Sequence, residues 1–169
     1  EAVRGGRLGL IPQNSGQALT PTMRIGRQLH EALHLHSDLP KAGHGNRAID
    51  LLGQVRLPDP AAIMSRFPHE LSGGQQQRVA IAMARAGGPD ALLLDDPTTG
   101  LDVTTQAHVL ELLRDLAAER RMAMVYVGHD LGVIARTCER VAIMYAGEIV
   151  LEGPSRTVLR EPSHPYPRA

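Results

Sequence analysis

Two adjacent acids, Asp95 and Asp96, close a short apolar run (ALLL, residues 91–94) in this sequence. A wholly apolar run of this length predicts a strand that is buried on both faces. Ligands of open α/β sheets bind at the carboxyl ends of such strands, where Asp95 can hold a Mg²⁺ ion directly or through water. Asp96 beside it can orient or deprotonate an attacking water. Taken alone, two acids that cap a turn before Pro97 explain the pair equally well.

The strongest motif is the stretch Leu71-Ser72-Gly73-Gly74-Gln75. Ser72 and Gln75 have the spacing of a capping box, which predicts that a helix begins here. Two glycines at a helix start expose backbone N–H groups at the positive end of the helix dipole, and this arrangement suits a terminal phosphate. An ordinary capped helix after a glycine turn is the structural alternative.

Two further polar residues, His129 and Gln13, stand directly after apolar runs. His129 follows the run of residues 123–127, where its ring can contact a γ-phosphate or the attacking water, although a lone histidine is more often a structural hydrogen-bonding group. Gln13 follows residues 10–12 (LIP), and its amide can ligate Mg²⁺ or position water. Taken alone, a glutamine in a loop is a weak signal.

The first half of the chain predicts one strand and a helical block. Residues 7–11 form an apolar run that Pro12 ends, which indicates a strand leading into a loop over residues 13–22. Residues 23–66 then carry apolar side chains at helical spacing between proline and glycine breaks. The predicted helices of this block lie around residues 25–33, 48–55 and 61–66.

From Ser72 onward, helices and strands alternate. Asp102 can cap a helix whose apolar face is formed by Val109, Leu112, Leu113 and Leu116. The other predicted elements are a helix over 72–86, buried strands over 91–94 and 123–127, a short helix over 131–137, and a hairpin of strands 141–145 and 148–151. This order implies a parallel α/β core that ends in an antiparallel pair.

Together these motifs resemble the ABC transporter ATPase family. The stretch 71–75 is similar to the family's signature motif, and residues 92–95 are similar to its Walker B strand. Asp96 takes the position of the family's catalytic Glu. The resemblance implies that Asp95 binds Mg²⁺, that Asp96 is the catalytic base, and that Leu71, Ser72, Gly73, Gly74 and Gln75 contact nucleotide.

Three more positions extend the resemblance over nearly the whole chain. Gln13 matches the Q-loop, residues 99–102 (TGLD) resemble the D-loop, and His129 matches the switch histidine. Fifty-nine positions separate Gln13 from Ser72, which suits the family's helical subdomain. By this resemblance Gln13 and His129 are catalytic, Gln13 also ligates Mg²⁺, and Asp102 contacts nucleotide.

Several stretches are similar more narrowly to the oligopeptide and dipeptide importer ATPases, a group that includes nickel and glutathione relatives. These stretches are LTPTMRIG (19–26), FPHE (67–70), DLGVIA (130–135), MYAGEIV (144–150) and SHPY (163–166). The last resembles the start of the C-terminal extension that marks this group. The resemblance therefore implies uptake of peptides or a related small solute.

The expected architecture is an α/β P-loop NTPase (RecA-like) core, incomplete, with an inserted α-helical subdomain. The expected domains are the end of a core strand with the Q-loop (1–13), the helical subdomain with the signature (14–86), the core with Walker B, D-loop and switch histidine (87–152), and the start of the extension (153–169). The resemblance further implies ATP and Mg²⁺ as cofactors. Its implied partners are a second ATPase subunit, integral membrane permease subunits and, indirectly, an extracytoplasmic solute-binding protein, at the cytoplasmic face of the membrane.

The sequence departs from the family pattern in two ways. A Walker A loop needs a G-x-x-x-x-G-K-[ST] frame, and Lys41, the single lysine, fits no such frame. We therefore expect this chain alone to bind ATP weakly or not at all. Asp96 is one methylene shorter than Glu, and a misplacement of roughly 1 Å can lower a rate about a hundredfold, so we expect slow hydrolysis. Pro12 before Gln13 is expected to stiffen the Q-loop.

Three histidines near one another, His30, His34 and His36, suggest a rival zinc site. His30 and His34 are four residues apart on a predicted helix, and such a pair can bind zinc. The sequence offers no evident third ligand and no Glu in the required frame, so a solvated helix face is the favoured interpretation.

The composition bears on the other classes of function that this sequence could have. A net charge of +0 gives no support for a nucleic-acid partner, and Cys138, the single cysteine, cannot form an internal disulfide and is expected to be a buried structural thiol. An ABC ATPase of DNA repair or translation usually carries long insertions or basic linkers, which the sequence does not show. A catalytically impaired or vestigial module that acts only as a dimer partner stays open as the alternative.

Overall fold

The computed structural model describes residues 5–120 and 122–160. The chain forms two compact units, the first ending at Val127 and the second beginning at Gly128. The stretch SHPY at 163–166, on which the expected C-terminal extension depends, lies outside the described residues. The expected division into four segments stays a prediction.

The first unit combines a parallel sheet with helices, and the second contains a hairpin and two helices. The first unit consists of β1 (Leu8–Ile11), α1 (Ser15–Ala18), α2 (Ile25–His36), α3 (His44–Gln54), α4 (Pro60–Ser65), α5 (Gly73–Ala84), β2 (Ala91–Asp95), α6 (Val103–Arg120) and β3 (Ala123–Val127), with short 3₁₀ turns at Lys41–Gly43 and Pro68–Glu70. The second consists of α7 (Leu131–Thr137), β4 (Arg140–Tyr145), β5 (Glu148–Pro154) and α8 (Ser155–Arg160).

The described sheet of the first unit has the strand order β1-β2-β3, and every pairing is parallel. Leu92 and Leu94 of β2 are fully buried and belong to one apolar core with residues of α5 and α6. The prediction of burial on both faces was wrong for the described residues. Val125 and Val127 of β3 are 56% and 50% exposed, because in the part that the structure describes the helices pack against one face.

The helical block between α2 and α4 is confirmed. Leu29 and Leu33 of α2 and Leu51 of α3 are fully buried in the same core. Gly26 lets α2 approach α4, since a Cβ at this position would lie 2.8 Å from the carbonyl oxygen of Met64.

Two details of the predicted elements were wrong. The loop expected over residues 13–22 contains the single turn α1, whose following residue Leu19 is 2% exposed and so fixes this segment to the core. The helix expected from residue 48 begins at His44, because the 3₁₀ turn Lys41–Gly43 leads directly into α3.

The second unit confirms the predicted hairpin. Strands β4 and β5 are antiparallel, and Ala146 and Gly147 connect them with φ angles of 50° and 86°. Two successive residues with positive φ form the type of turn whose twist matches the flanking strands. Asp130 begins α7 by accepting a hydrogen bond from the backbone N–H of Val133.

Two further findings concern membrane-spanning helices and the single cysteine. Within the described ranges, no helix combines the length and apolar character that crossing a membrane requires. Cys138 is partly buried, and this burial raises the pKa of its thiol, so the group stays protonated at neutral pH and is a poor nucleophile.

Candidate functional site

The acid pair and Gln13 follow the ends of neighbouring strands at the carboxyl edge of the sheet. Ile11 of β1 pairs with Leu94 of β2, so the two strands end side by side and their continuations leave the sheet at the same edge. Gln13 and Asp95 are both exposed there. The structure therefore places an amide and a carboxylate beyond neighbouring strand ends, as the sequence predicts.

Asp96 marks a sharp change of chain direction at this edge. Its backbone N–H donates to the carbonyl of Val127 at 2.7 Å, which joins the turn after β2 to the end of β3. Asp96 is 9% exposed and has a φ of 42°, in the left-handed region. That conformation costs most L-residues roughly 1–2 kcal/mol, and Asp tolerates it better because its short polar side chain can hydrogen-bond locally. The backbone thus gives a physical reason for Asp at this position.

Asp102 is confirmed as the cap of α6. Its carboxylate accepts from the backbone N–H of Thr105 at 2.9 Å and from the Thr105 hydroxyl at 2.6 Å. These hydrogen bonds, the hydroxyl's first, lower the pKa of Asp102 below its ordinary value. The side chain therefore stays ionised at neutral pH, while its contact with nucleotide stays a prediction.

The signature stretch forms the capping box that its spacing predicts. Ser72 Oγ accepts from the backbone N–H of Gln75 at 3.3 Å, and Gln75 Oε1 accepts from the backbone N–H of Ser72 at 3.0 Å. Leu71 is buried, whereas Ser72 and Gly73 are exposed. The start of α5 is therefore held by its own side chains, with the backbone of its first residue open to solvent.

The two signature glycines have different structural roles. A Cβ on Gly74 would lie 2.5 Å from Cγ2 of Thr105, so only glycine lets α5 approach α6 at this point. A Cβ on Gly73 would meet Leu101 at 3.6 Å, which is ordinary contact. Since Thr105 also donates to Asp102, the signature and the D-loop cap are in direct packing contact. Sequence reasoning assigned both glycines to anion binding and missed this packing.

Two glutamines that sequence reasoning did not identify hold the loops of the site. Gln28 is 4% exposed; its amide accepts from the N–H of Thr20 at 2.9 Å and donates to the carbonyls of Thr20 and Met23. Gln76 donates to the carbonyls of Pro68 and Leu71, just before the signature. The only signal in the sequence is a glutamine, Gln28, within the apolar stripe of a helix.

His129 belongs to the second unit. It is exposed and directly precedes Asp130, the residue that caps α7. Its meeting with Gln13 and the acid pair stays a prediction.

The donor set of the first unit fits part of a magnesium–triphosphate site. Carboxylate and amide oxygens, such as those of Asp95 and Gln13, are the protein ligands that Mg²⁺ takes. The N-terminus of α5, a helix of 12 residues, offers backbone N–H groups to an anion. A G-x-x-x-x-G-K-[ST] frame is not among the 169 residues, so the cradle for the phosphates is not part of this set.

Comparison with known proteins shows which family this chain is similar to. The family model described as ABC transporter matches residues 1–99. The chain is 46% identical to the oligopeptide transport ATP-binding protein OppD of Bacillus subtilis (strain 168), over 97% of this chain and 46% of that protein. It is 42% identical to OppD of Lactococcus lactis subsp. cremoris (strain SK11), over 99% of this chain and 50% of that protein. The chain therefore spans about half the length of the relatives that it matches.

A third relative and two solved structures give the same result. A putative peptide import ATP-binding protein of Brucella melitensis biotype 1 is 45% identical over 98% of this chain and 50% of that protein. The ATP-binding cassette MJ0796, as a post-hydrolysis dimer bound to ADP and Pi, superposes with a TM-score of 0.76 at 30% identity, covering 92% of this chain and 66% of that one. The cbiO1 protein of Clostridium perfringens, part of the ABC transporter complex cbiONQ, superposes with a TM-score of 0.80 at 25% identity, covering 92% and 60%.

Proposed function

This chain belongs to the ABC transporter family, and we propose that it forms the catalytic half of an ATP-hydrolysing subunit that drives import of peptides or a related small solute. The observation that carries the proposal is the register of β1 and β2. Because β1 and β2 end side by side, Gln13 and the acid pair follow strand ends at the same edge of the sheet, and this arrangement supports the proposal. Relatives named for oligopeptide transport and peptide import support the choice of solute.

The residues of the proposed site divide the chemistry among them, and the Gln13 amide is also a ligand of Mg²⁺. Asp95 holds Mg²⁺, Asp96 accepts the proton of the attacking water, and Gln13 and His129 respond to the γ-phosphate. Bound ATP supplies the phosphoanhydride bond that is hydrolysed. Ser72 and the N–H groups at the start of α5 contact the γ-phosphate of ATP bound to a second subunit.

The proposed assembly follows from that arrangement. Because the signature faces outward at the start of α5, it completes the site of a partner ATPase subunit, and closure of the pair drives the membrane permease subunits. The relatives' names as ATP-binding proteins of peptide transport support a place beside a permease at the cytoplasmic face of the membrane. An extracytoplasmic solute-binding protein then acts only through the permease.

The alternative, a vestigial module that acts only as a dimer partner, is not better supported. Asp96 is the single departure within the described site that favours it. The positive φ of Asp96 is a conformational reason for an Asp at this position, so the departure does not require lost function. The capping box of the signature stretch is intact.

The test uses a chimera in which this chain replaces the matching segment of the Bacillus subtilis OppD protein. We expect the chimera to bind Mg·ATP and hydrolyse it, and Asp95→Asn to abolish hydrolysis while the fold is kept. Asp50→Asn, which neutralises an exposed acid on α3, is the matched control and should leave turnover unchanged. Hydrolysis by Asp95→Asn at the rate of the unmodified chimera would contradict the proposal.

The isolated 169-residue chain provides the second arm. We expect no Mg·ATP binding in the micromolar range, because the chain contains no Walker A frame. Titration of labelled ATP measures this, and micromolar binding would show that the described residues suffice.

A further inference from the structure

The segment after Gln13 packs directly against the helix that begins with the signature stretch. Gln13 leads into the single turn α1, and Gly16 of this turn lies beside Gln76, which is near the start of α5. A Cβ added at Gly16 would lie 3.0 Å from the Oε1 atom of Gln76, a tighter contact than most Cβ atoms make. The fold therefore brings the chain that follows one site residue against the element that carries another.

The side chain of Gln76 also holds the backbone that leads into the signature stretch. Its Nε2 donates to the carbonyl of Pro68 at 2.9 Å and to the carbonyl of Leu71 at 3.1 Å. The backbone N–H of Gln76 donates to the carbonyl of Ser72 at 2.9 Å. One residue thus contacts the 3₁₀ turn before the signature, the last residue before the helix cap, and the cap itself.

The amide of Gln76 can transmit a displacement because it is a rigid, planar group. Its oxygen faces Gly16, and its nitrogen faces Pro68 and Leu71. A side-chain amide has two N–H donors, and these two carbonyls use both of them. A displacement of the oxygen therefore either moves the two carbonyls or breaks the hydrogen bonds to them.

The turn α1 is fixed at one end and leads to an exposed residue at the other. Leu19, directly after α1, is 2% exposed in the core, and the N–H of Thr20 donates to the side chain of Gln28 at 2.9 Å. Gln13 is exposed, and Gly16 follows it by three positions, which is at most roughly 11 Å of chain. A shift of Gln13 is therefore passed toward Gly16, because the chain beyond α1 is held in place.

We propose that Gln76 is a positioning residue that couples the segment after Gln13 to the signature stretch, with Gly16 as its contact on that segment. Coupling between two sites needs such a chain of packed and hydrogen-bonded groups. Its effect on catalysis rests on the proposed function: when Gln13 meets the γ-phosphate in its own subunit, the shift reaches the start of α5, which serves ATP bound to the second subunit. Gln76 acts through the backbone of Leu71 and Ser72.

Gly16→Ala tests the coupling in the 169-residue chain without nucleotide. Gly16 does not have a positive φ, so alanine suits its backbone, and the close contact of the added Cβ is with Gln76. We expect the backbone amide resonances of Ser72 and Gln75 to shift in the nitrogen–proton NMR spectrum. Gly45→Ala is the matched control on α3. Its Cβ would meet no described atom within 4 Å, and it should leave these resonances in place.

Truncation of Gln76 shows whether the effect passes through this side chain. Gln76→Ala removes the contact with Gly16, so adding Gly16→Ala in that background should leave the amide resonance of Ser72 where Gln76→Ala alone has it. The proposal is overturned if Gly16→Ala does not shift the Ser72 resonance, or if it causes the same shift in both backgrounds. Since no ATP is present, this experiment tests the coupling independently of the proposed function.

Gln76→Glu in the chimera with the Bacillus subtilis relative gives the catalytic readout. Glu keeps the length of Gln, but its ionised carboxylate only accepts, so both hydrogen bonds to the carbonyls of Pro68 and Leu71 are lost. We expect ATP hydrolysis to fall on the order of tenfold, because the signature is misplaced. The Kd for Mg·ATP should change less than about twofold, because the signature serves ATP on the second subunit. Hydrolysis at the rate of the unmodified chimera would overturn the proposal, whereas an unmodified chimera without hydrolysis would contradict the proposed function alone.

Discussion

The two faces of the three-stranded sheet bury very different amounts of apolar surface. On one face Ile11, Leu92 and Leu94 are fully buried under the helices. On the other, Leu10 is 42% and Val125 is 56% exposed. The strands are equally apolar on both sides, so the difference lies in what covers them and not in the sequence of the strands.

The two faces also differ in the elements that lie on them. The covered face is packed by α5 and α6, the helices that begin with the signature and with the D-loop cap. The open face carries apolar side chains that the described residues do not cover.

Matched truncations on the two faces give the largest expected contrast. Leu94→Ala removes a fully buried side chain and should lower the free energy of unfolding by about 2–5 kcal/mol. Leu10→Ala makes the same chemical change on the open face and should cost roughly half of that or less, because its side chain is already partly in water. Urea denaturation of both variants measures the contrast, and equal losses would show that the open face is covered in solution.

Asp96 directly follows β2 at the carboxyl edge of the sheet. The variant Asp96→Glu should change ATP turnover and stability in opposite directions. In the chimera with the Bacillus subtilis relative, the longer side chain should raise ATP turnover by up to about a hundredfold. The left-handed backbone at this position should make the same variant less stable by on the order of 1 kcal/mol.

Asp96→Asn is the matched control for that experiment. It keeps a short side chain that tolerates the left-handed backbone, so stability should be preserved while turnover is lost, because an amide cannot accept the proton. ATPase assays and urea denaturation on the same samples are the measurements. Unchanged turnover in Asp96→Glu would contradict the role of Asp96 as the base.

Gly74 tests the packing on the covered face. Gly74→Ala places a Cβ 2.5 Å from Cγ2 of Thr105 and should cost about 1–3 kcal/mol through overpacking of α5 against α6. Gly73→Ala meets only ordinary contact and should be nearly neutral. Thr105→Ser removes the clashing methyl but keeps the hydroxyl, so the double variant should recover most of the loss. Additive losses in this double-mutant cycle would show that the two residues do not touch.

The sequence predicted the elements of this fold well where a local signal exists. The spacing of Ser72 and Gln75 predicted the capping box, and the apolar spacing of α6 predicted its buried face. The single turn α1 has no such signal, because it is fixed by burial of Leu19 against a distant part of the chain.

Site residues that act through long-range contacts could not be predicted from the sequence. The role of Gly74 depends on Thr105, thirty-one positions later, and Gln76 becomes a neighbour of Gly16 only when α1 packs on α5. In the sequence Gln28 is an ordinary polar residue, and only the structure shows that its amide hydrogen-bonds to the backbone of Thr20 and Met23. The predicted burial of the strands on both faces was too high for a related reason. An apolar run shows that a strand can be buried, but it does not show whether another element packs against it.

The smallest expected effect is the acid sensitivity of α6, the long helix on the covered face. Asp102 has a lowered pKa because the folded chain hydrogen-bonds its charged form. Its contribution to stability is therefore present above the ordinary aspartate pKa of about 3.9 and is lost as the pH falls through the lower folded value. Asp102→Asn keeps a capping oxygen but does not titrate, so its melting temperature should fall less than that of the wild type between about pH 5 and about pH 3.

Thr105→Ala removes the hydroxyl that contributes most to this lowered pKa and keeps the backbone donor. Its stability should therefore depend on pH less than that of the wild type, and more than that of Asp102→Asn. Melting curves of the three proteins across this range decide the point. If all three lose stability in parallel, the acid sensitivity arises from carboxylates elsewhere, and the cap of α6 is held by its geometry and not by its charge.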